Sequence, residues 1–329
     1  MSTRPSTGRS AAGKPPIGGP RDERPGWFSR LFPWFAIAAL VISVLLVVSA
    51  GGTVRVTGSG LGCPDWPLCH GRLIPPPDLH AWIEYTHRMT VALLSVFTIG
   101  AAVTGYARYR MSREFWLLVF AVVLLFVQAG FGAATVRTEL KPEFALIHTG
   151  LAMALVGTLA FIVTGTSPWS TGFANRVRRA LARHPHAARF RRTVLLLMVL
   201  TFGLILTGSY VYRSGAPLAC LGFPLCDGPA DGSRRLQDIH MLHRYAAAVV
   251  FLGALFTARA AWKLELPTRR LKLLTGILFV LVVLQGALGI SNVLLRLPDW
   301  ARLGHLVTAS LVFTAVVLLL GTVWRRPDA

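Results

Sequence analysis

FWLLVFAVVLLFVQAGFGAATV, residues Phe115 to Val136, runs for 22 residues without a charged side chain. As a helix rising about 1.5 Å per residue it is about 33 Å long, enough to cross the ~30 Å hydrocarbon core of a bilayer. Three further stretches read the same way: Pro33 to Val54, Thr193 to Tyr212 and Leu273 to Leu295. Two more, Phe144 to Trp169 and Leu303 to Trp324, are apolar apart from one histidine each, His148 and His305. The last two, His80 to Tyr106 and Asp238 to Ala261, are apolar beyond their first turns, where Glu84, His87 and Arg88, or His240, His243 and Arg244, stand. Eight transmembrane helices follow.

The composition agrees. The chain of 329 residues is 53% hydrophobic and 15% charged, and its mean hydropathy is +0.56, which no water-soluble globule of this size shows. The net charge of +20 comes from 34 Lys and Arg against 14 Asp and Glu. These basic residues lie between the apolar runs instead of sharing a polar face with aromatics, so no nucleic-acid partner is expected. Twenty-three Lys and Arg outside the helices fall on one side of the membrane and nine on the other. By the positive-inside rule both termini are cytoplasmic in a multi-pass plasma-membrane protein. Residues 1–31 read as a disordered basic tail, too poor in aliphatics to offset ordering entropy. It precedes a full-length span without a small-residue cleavage pattern, so the first span reads as an uncleaved anchor.

The chain repeats itself. Cys63 and Cys69 recur as Cys220 and Cys226, Gln128 as Gln285 and His148 as His305 at an offset of 157, and His87-Arg88 as His243-Arg244 at 156. Pro67-Leu68-Cys69 matches Pro224-Leu225-Cys226, and Thr57-Gly58-Ser59 resembles Thr207-Gly208-Ser209. Four spans per copy is an even number, so both copies enter the membrane in the same sense. The expected fold is an all-α integral membrane protein of two tandem four-helix bundles, 32–170 and 193–325, related by a pseudo-two-fold axis along the membrane normal. A basic cytoplasmic linker, 171–192, joins them.

An imidazole inside a span is costly and marks function, with a helix-bridging hydrogen bond as the plainer alternative. Here four recur in a pattern. His87 and His148 fall at one depth, roughly 10 Å below the outer boundary, and His243 and His305 match them in the second half. Two imidazoles level with each other on separate helices suit axial ligation of a haem iron. A bare metal ion would want further ligands, which only Glu84 or His240 could add. Small residues on the third and seventh spans leave room for a flat ring or simply permit close packing. Arg88 and Arg244 follow the ligands and suit either haem propionates or lipid headgroups.

The cysteine pairs share a C-x5-C spacing in loops that the charge count places outside, where disulfides form. Each bridge would close a loop of about seven residues, worth about 2 kcal/mol by chain entropy. Each is a staple over the haem, or one of them is redox-active, Cys63 being the better candidate. The halves differ at one point: Glu84 stands three residues before His87, whereas His240 stands three before His243. Glu84 thus shares a face with His87, and a carboxylate there can move protons or stabilise positive charge at a reacting carbon.

Glu84-Tyr85-Thr86-His87-Arg88, the second pair His243 and His305 with His148 completing the first, the paired C-x5-C loops and the tandem halves together resemble the haem A synthase family, over roughly Trp34 to Trp324. The resemblance implies oxidation of the C8 methyl of haem O to a formyl group in two steps, through an alcohol and a geminal diol, with haem A as product. It further implies substrate haem on His87 and His148, Glu84 as the catalytic residue and a b-type haem on His243 and His305. The N-terminal cysteine pair is linked to activity in such enzymes. Haem O synthase, the terminal oxidase assembly, the lipid bilayer and a second copy of the chain are the partners to expect. The alternative is a non-catalytic di-haem b electron carrier, for which an odd carboxylate has no use. A transporter using haem-free histidines is a third reading.

Overall fold

The computed structural model describes residues 27–226, 234–264 and 269–324. Most of the expected basic tail, residues 1–26, lies outside them; the first helix already begins at Trp27. The eight spans are α1 (Trp27–Val56), α2 (Leu79–Tyr109), α3 (Arg113–Arg137), α4 (Pro142–Thr166), α6 (Ala187–Arg213), α7 (Arg234–Lys263), α8 (Arg269–Leu294) and α9 (Asp299–Trp324). All eight are long and apolar enough to cross a membrane, and the protein is a multi-pass membrane protein.

Their ends follow from local chemistry. The Asp78 side chain caps α2 by accepting from the Ala81 N–H at 2.8 Å, and Ser112 caps α3 through the Phe115 N–H; both satisfy donors that a helix start leaves unpaired. Gly58 and Gly215, at φ +68° and +77°, close α1 and α6, because the left-handed turn favours a residue without a β-carbon. Glu139-Leu140 and Arg296-Leu297 turn left-handed after α3 and α8, with Leu140 N–H donating to Thr135 and Leu297 N–H to Asn292.

These turns recur at an offset of 157 and correct one detail of the sequence reading. The counterpart of Gly58 is Gly215, and that of Gly208 is Gly51. Thr57-Gly58-Ser59 and Thr207-Gly208-Ser209 are therefore a chance likeness out of register with the repeat.

Helix α1 packs on α2, α2 on α3, α3 on α4 and α4 back on α1, and the same ring closes through α6, α7, α8 and α9. The rings meet where α9 touches α1 and α4, and where α4 touches α6. Two contacts at this seam join residues that are each other's repeat equivalents. The Arg55 guanidinium lies 3.9 Å from the Tyr212 ring centroid, and Gly321 packs against Thr164. Repeat-equivalent residues thus stand against each other at this seam. The seam makes α9 the most enclosed span: 72% of its apolar window is buried, against 17% for α7 and α8.

The linker, expected as a loop, contains a helix, α5 (Pro168–Ala182). Its arginines suggested solvent, yet Ala174, Val177 and Leu181, three and four residues apart, are fully buried on one face, which is helical amphipathicity. Arg178 is itself buried and donates to the Gly321 and Thr322 carbonyls at 2.8 and 3.1 Å. A cation there satisfies carbonyls that the end of α9 leaves open and complements the helix dipole.

A β-carbon on Gly321 would collide with Thr164, whereas one on Gly172 would meet nothing within 4 Å. Gly321→Ala should therefore lower the thermal unfolding midpoint in detergent by several degrees, an overpacking cost of about 1–3 kcal/mol. Gly172→Ala should leave it unchanged or raise it, since alanine favours a helix by about 1 kcal/mol over glycine. Equal midpoints for the two variants would contradict this packing.

Candidate functional site

Four imidazoles sit in four matching seats. His87 on α2 packs against Gly51 on α1, His148 on α4 against Gly132 on α3, His243 on α7 against Gly208 on α6, and His305 on α9 against Gly289 on α8. A β-carbon at those glycines would stand 3.0, 3.2, 2.9 and 3.1 Å from Cε1 of the respective ring, so any larger residue would displace the imidazole. His87 and His148 lie within electrostatic reach of one another, as do His243 and His305. The small residues expected to make room for a flat ligand thus serve first to hold the histidine rings. Gly51 and Gly208 escaped the sequence reading; a glycine at the repeat offset on the helix before each histidine is the signal that finds them.

The ring nitrogens have distinct partners. His305 Nδ1 lies 3.2 Å from the Gln285 carbonyl, and its Nε2 lies 3.2 Å from Gln285 Nε2. An Nδ1–H donating to that carbonyl leaves Nε2 as the lone-pair nitrogen, which here accepts from the Gln285 amide. His148 Nε2 is likewise 3.3 Å from Gln128 Nε2. Oε1 of both glutamines is buried without a hydrogen bond. For His243 the Nδ1 partner is the Thr207 hydroxyl at 3.0 Å; that hydroxyl donates to the Leu204 carbonyl, so its oxygen is free to accept Nδ1–H. The equivalent position in the first half is Ala50, and His87 Nδ1 is buried without a hydrogen bond. Thr207 had no signature in the sequence.

These donor sets fit a haem. Each half offers two partly buried imidazoles whose Nε2 lone pairs can face one iron, with glutamine amides that can turn away from them. Among the described residues no three His, Cys, Asp or Glu side chains converge. Glu84 and His240 therefore do not complete a three-ligand site for a bare metal ion.

Both cysteine pairs are disulfide-bonded, Cys63–Cys69 and Cys220–Cys226. The two arginines named as propionate or headgroup partners hold these loops. Arg88 donates to the carbonyls of Cys63, Asp65 and Leu68 at 2.9, 2.8 and 2.7 Å. Arg244 donates to the equivalent carbonyls of Cys220, Gly222 and Leu225 at 3.0, 2.7 and 3.1 Å, and to Pro224. A five-donor fork suits this task. On the exposed side of the first loop, the backbone N–H groups of Gly71 and His70 donate to the Asp65 carboxylate and hold its pKa below the ordinary value.

Glu84 joins helix to loop. It is buried, pairs with Arg88 at 2.6 Å and accepts the Cys63 N–H at 2.8 Å. The equivalent His240 is also buried, and its Nδ1 has no hydrogen bond. The two halves share the four seats and the arginine grips but differ here, at Thr207, and at His148, whose Nδ1 is buried without a hydrogen bond where His305 Nδ1 meets the Gln285 carbonyl.

A family model described as "Cytochrome oxidase assembly protein" matches residues 34–82 and 77–317. Among curated relatives, the haem A synthase of Alkalihalophilus pseudofirmus is 32% identical over 284 residues, covering 84% of this chain and 92% of the relative. That of Shouchella clausii is 30% identical over 87% of this chain and 95% of its own length, and that of Shewanella oneidensis 26% identical over 90% and 98%.

Because Arg88 grips three loop carbonyls, Arg88→Lys should loosen the Cys63–Cys69 loop, since a point-charge ammonium cannot reproduce the fork. Reduction of this bridge by a phosphine, followed by maleimide labelling of Cys63, should be faster than in the parent by about tenfold, an estimate that takes one or two charge-assisted hydrogen bonds as lost. The Cys220–Cys226 bridge should be unaffected. Equal rates for the first bridge would show that Arg88 does not hold it.

Proposed function

The chain belongs to the cytochrome oxidase assembly protein family, and on that premise we propose that it is a haem A synthase, an oxidoreductase that converts haem O to haem A. The observation that carries the proposal is a duplicated pair of histidine seats in which, among the described residues, one half alone has a buried carboxylate one turn from a histidine. In this reading the first half binds haem O as substrate between His87 and His148. The C8 methyl with water would give the alcohol and release two electrons and two protons. The alcohol with a second water would give the geminal diol and release two more of each. The diol would lose water to leave the formyl group, the electrons passing singly to an external one-electron acceptor. A b-type haem held by His243 and His305 would supply a one-electron relay beside the substrate.

The protein's own groups have separate tasks. Gly51 and Gly132 fix the two imidazoles, and the four-helix ring excludes water from them. Glu84, one turn before His87 on the same face, holds negative charge where positive charge develops during oxidation and can take up a proton. Its bonds to Arg88 and to the Cys63 N–H set its position, so the disulfide loop orients the carboxylate. In the second half His240 offers no such charge, consistent with a half that keeps its haem unchanged. The enzyme would sit in the plasma membrane with both termini cytoplasmic and the cysteine loops outside. It would receive haem O from a haem O synthase and serve terminal oxidase assembly, as a homo-oligomer or alone. The near-identity of the four seats favours, as second reading, a di-haem b electron carrier.

Pigment extraction from the purified protein separates the readings: haem O, its alcohol or haem A in addition to haem B supports the synthase, and haem B alone supports the carrier. Glu84→Gln should retain the bound haem and abolish haem A formation in membranes; unchanged haem A would overturn the role of Glu84. Gly51→Ala should disturb substrate binding and leave the haem B spectrum intact, while Gly208→Ala should do the reverse. A single effect common to both would argue against two specialised halves.

A further inference from the structure

At the seam between the rings, at the end that carries the disulfide loops, three arginines crowd one tyrosine. Arg55 ends α1 and stacks on the Tyr212 ring at 3.9 Å. Arg302, in the first turn of α9, donates to the Tyr212 hydroxyl at 3.2 Å and to the Val56 carbonyl at 3.2 Å. Arg213 ends α6 with its guanidinium 5.7 Å from the same ring centroid, and its buried Nε has no hydrogen bond. Among the described residues, Asp299 is the one carboxylate paired with this group, through Arg302 at 2.9 Å. Three cations against one mostly exposed anion leave a surplus of positive charge at a boundary where burial makes unpaired charge expensive.

The helix faces tell where that charge points. Gly52 lies against Leu303 and Leu306 of α9, and Arg55, three residues on, shares that face. Ser209, the repeat equivalent of Gly52, lies 3.5 Å from Thr149 of α4, and Arg213, four residues on, shares that face. Arg302 precedes His305 by three residues and so lies on its side of α9. Accordingly Arg55 is within electrostatic reach of His305, and Arg213 of His148. Each half sends an arginine across the seam toward the other half's histidine on α4 or α9.

We infer that Arg55, Arg302 and Arg213 form the anion-binding subsite for haem propionates, Arg55 and Arg302 serving the haem of the second half and Arg213 that of the first. The inference rests on the haem reading above and extends it to residues outside both histidine pairs. An amphiphilic ring with two carboxylates enters a membrane protein with the carboxylates toward the polar edge, and these guanidiniums stand at that edge beside the iron ligands. Arg88 and Arg244 are taken up by the loops, which leaves this cluster as the cationic surface next to the seats.

The test uses the full-length protein in detergent, with haem loss measured as transfer to apomyoglobin, and reconstitution with haem B or with its dimethyl ester, whose carboxylates are blocked. Arg55→Gln and Arg302→Gln should each speed loss of haem B by about tenfold, Arg213→Gln should do the same for haem O, and Arg55→Lys should retain most of the parent's hold. The parent should prefer free-acid haem B over the ester by a similar factor, and Arg55→Gln should erase the preference. Parent-like haem loss in the glutamine variants would overturn the inference while leaving the histidine seats intact. So would equal binding of acid and ester by the parent, a measurement that needs no variant to fold. A parent protein that binds no haem at all would instead remove the functional reading on which the inference stands.

Discussion

A partly buried imidazole between membrane helices must be held in one orientation, and the arrangement of this protein follows from how it does so four times. One nitrogen of His305 is taken by a backbone carbonyl and one of His243 by a threonine hydroxyl. Each fixes a proton on Nδ1 and so presents Nε2 as the base. The ring itself is kept in place by a glycine on the preceding helix, where a β-carbon would stand about 3 Å away. A histidine held only by hydrogen bonds could rotate; one also wedged against backbone cannot. Orientation is thereby set before any ligand arrives, which lowers the entropic cost of binding a large flat molecule between two helices.

Duplication then gives two such sites, and the seam between them decides how independent they are. If the rings met only through lipid-like side chains, each site would be electrostatically self-contained. They meet instead through Arg55 stacked on Tyr212, through α9, which touches α1 and α4, and through α4, which touches α6. Contact between a residue and its own repeat equivalent means that a change on one side of the axis is felt on the other. Tyr212 is where the copies have diverged most usefully: the same position is an arginine in the first half and an aromatic ring in the second, so that one stacks on the other instead of two cations colliding.

The membrane spans were legible because hydrocarbon imposes a length and forbids charge, a constraint that acts on every residue of a segment at once. The histidine pairs and cysteine loops were legible because ionisable or reactive side chains recur at one offset. Less could be read where a residue's role depends on what lies opposite it. The arginine-rich sequence of α5 suggested a solvated loop because the sum of charges hid Ala174, Val177 and Leu181 on a single face. Arg88 and Arg244 adjoin the ligands in sequence, which suggested propionates, but at the top of a helix a long side chain can reach back over the preceding loop. Gly51 and Thr207 carry no chemical flag alone, and only the neighbouring ring gives them meaning.

The substitution of His240 for Glu84 bears on why the first loop is built as it is. A carboxylate buried in an apolar setting is stable only if its charge is matched and its lone pairs are occupied. Arg88 and the Cys63 N–H provide this in the first half, and the disulfide holds that N–H in position. Arg244 and the Cys220–Cys226 loop have the same geometry but face an imidazole, which can be neutral and needs no such support. The second loop thus retains the form of the first without its electrostatic task. The bridge is present in both halves, as a staple requires, and in the first half it also flanks a buried negative charge. The cysteine pair of the first half is tied to Glu84 in two ways, through the Cys63 N–H and through Arg88, which pairs with the carboxylate and also grips the Cys63 carbonyl.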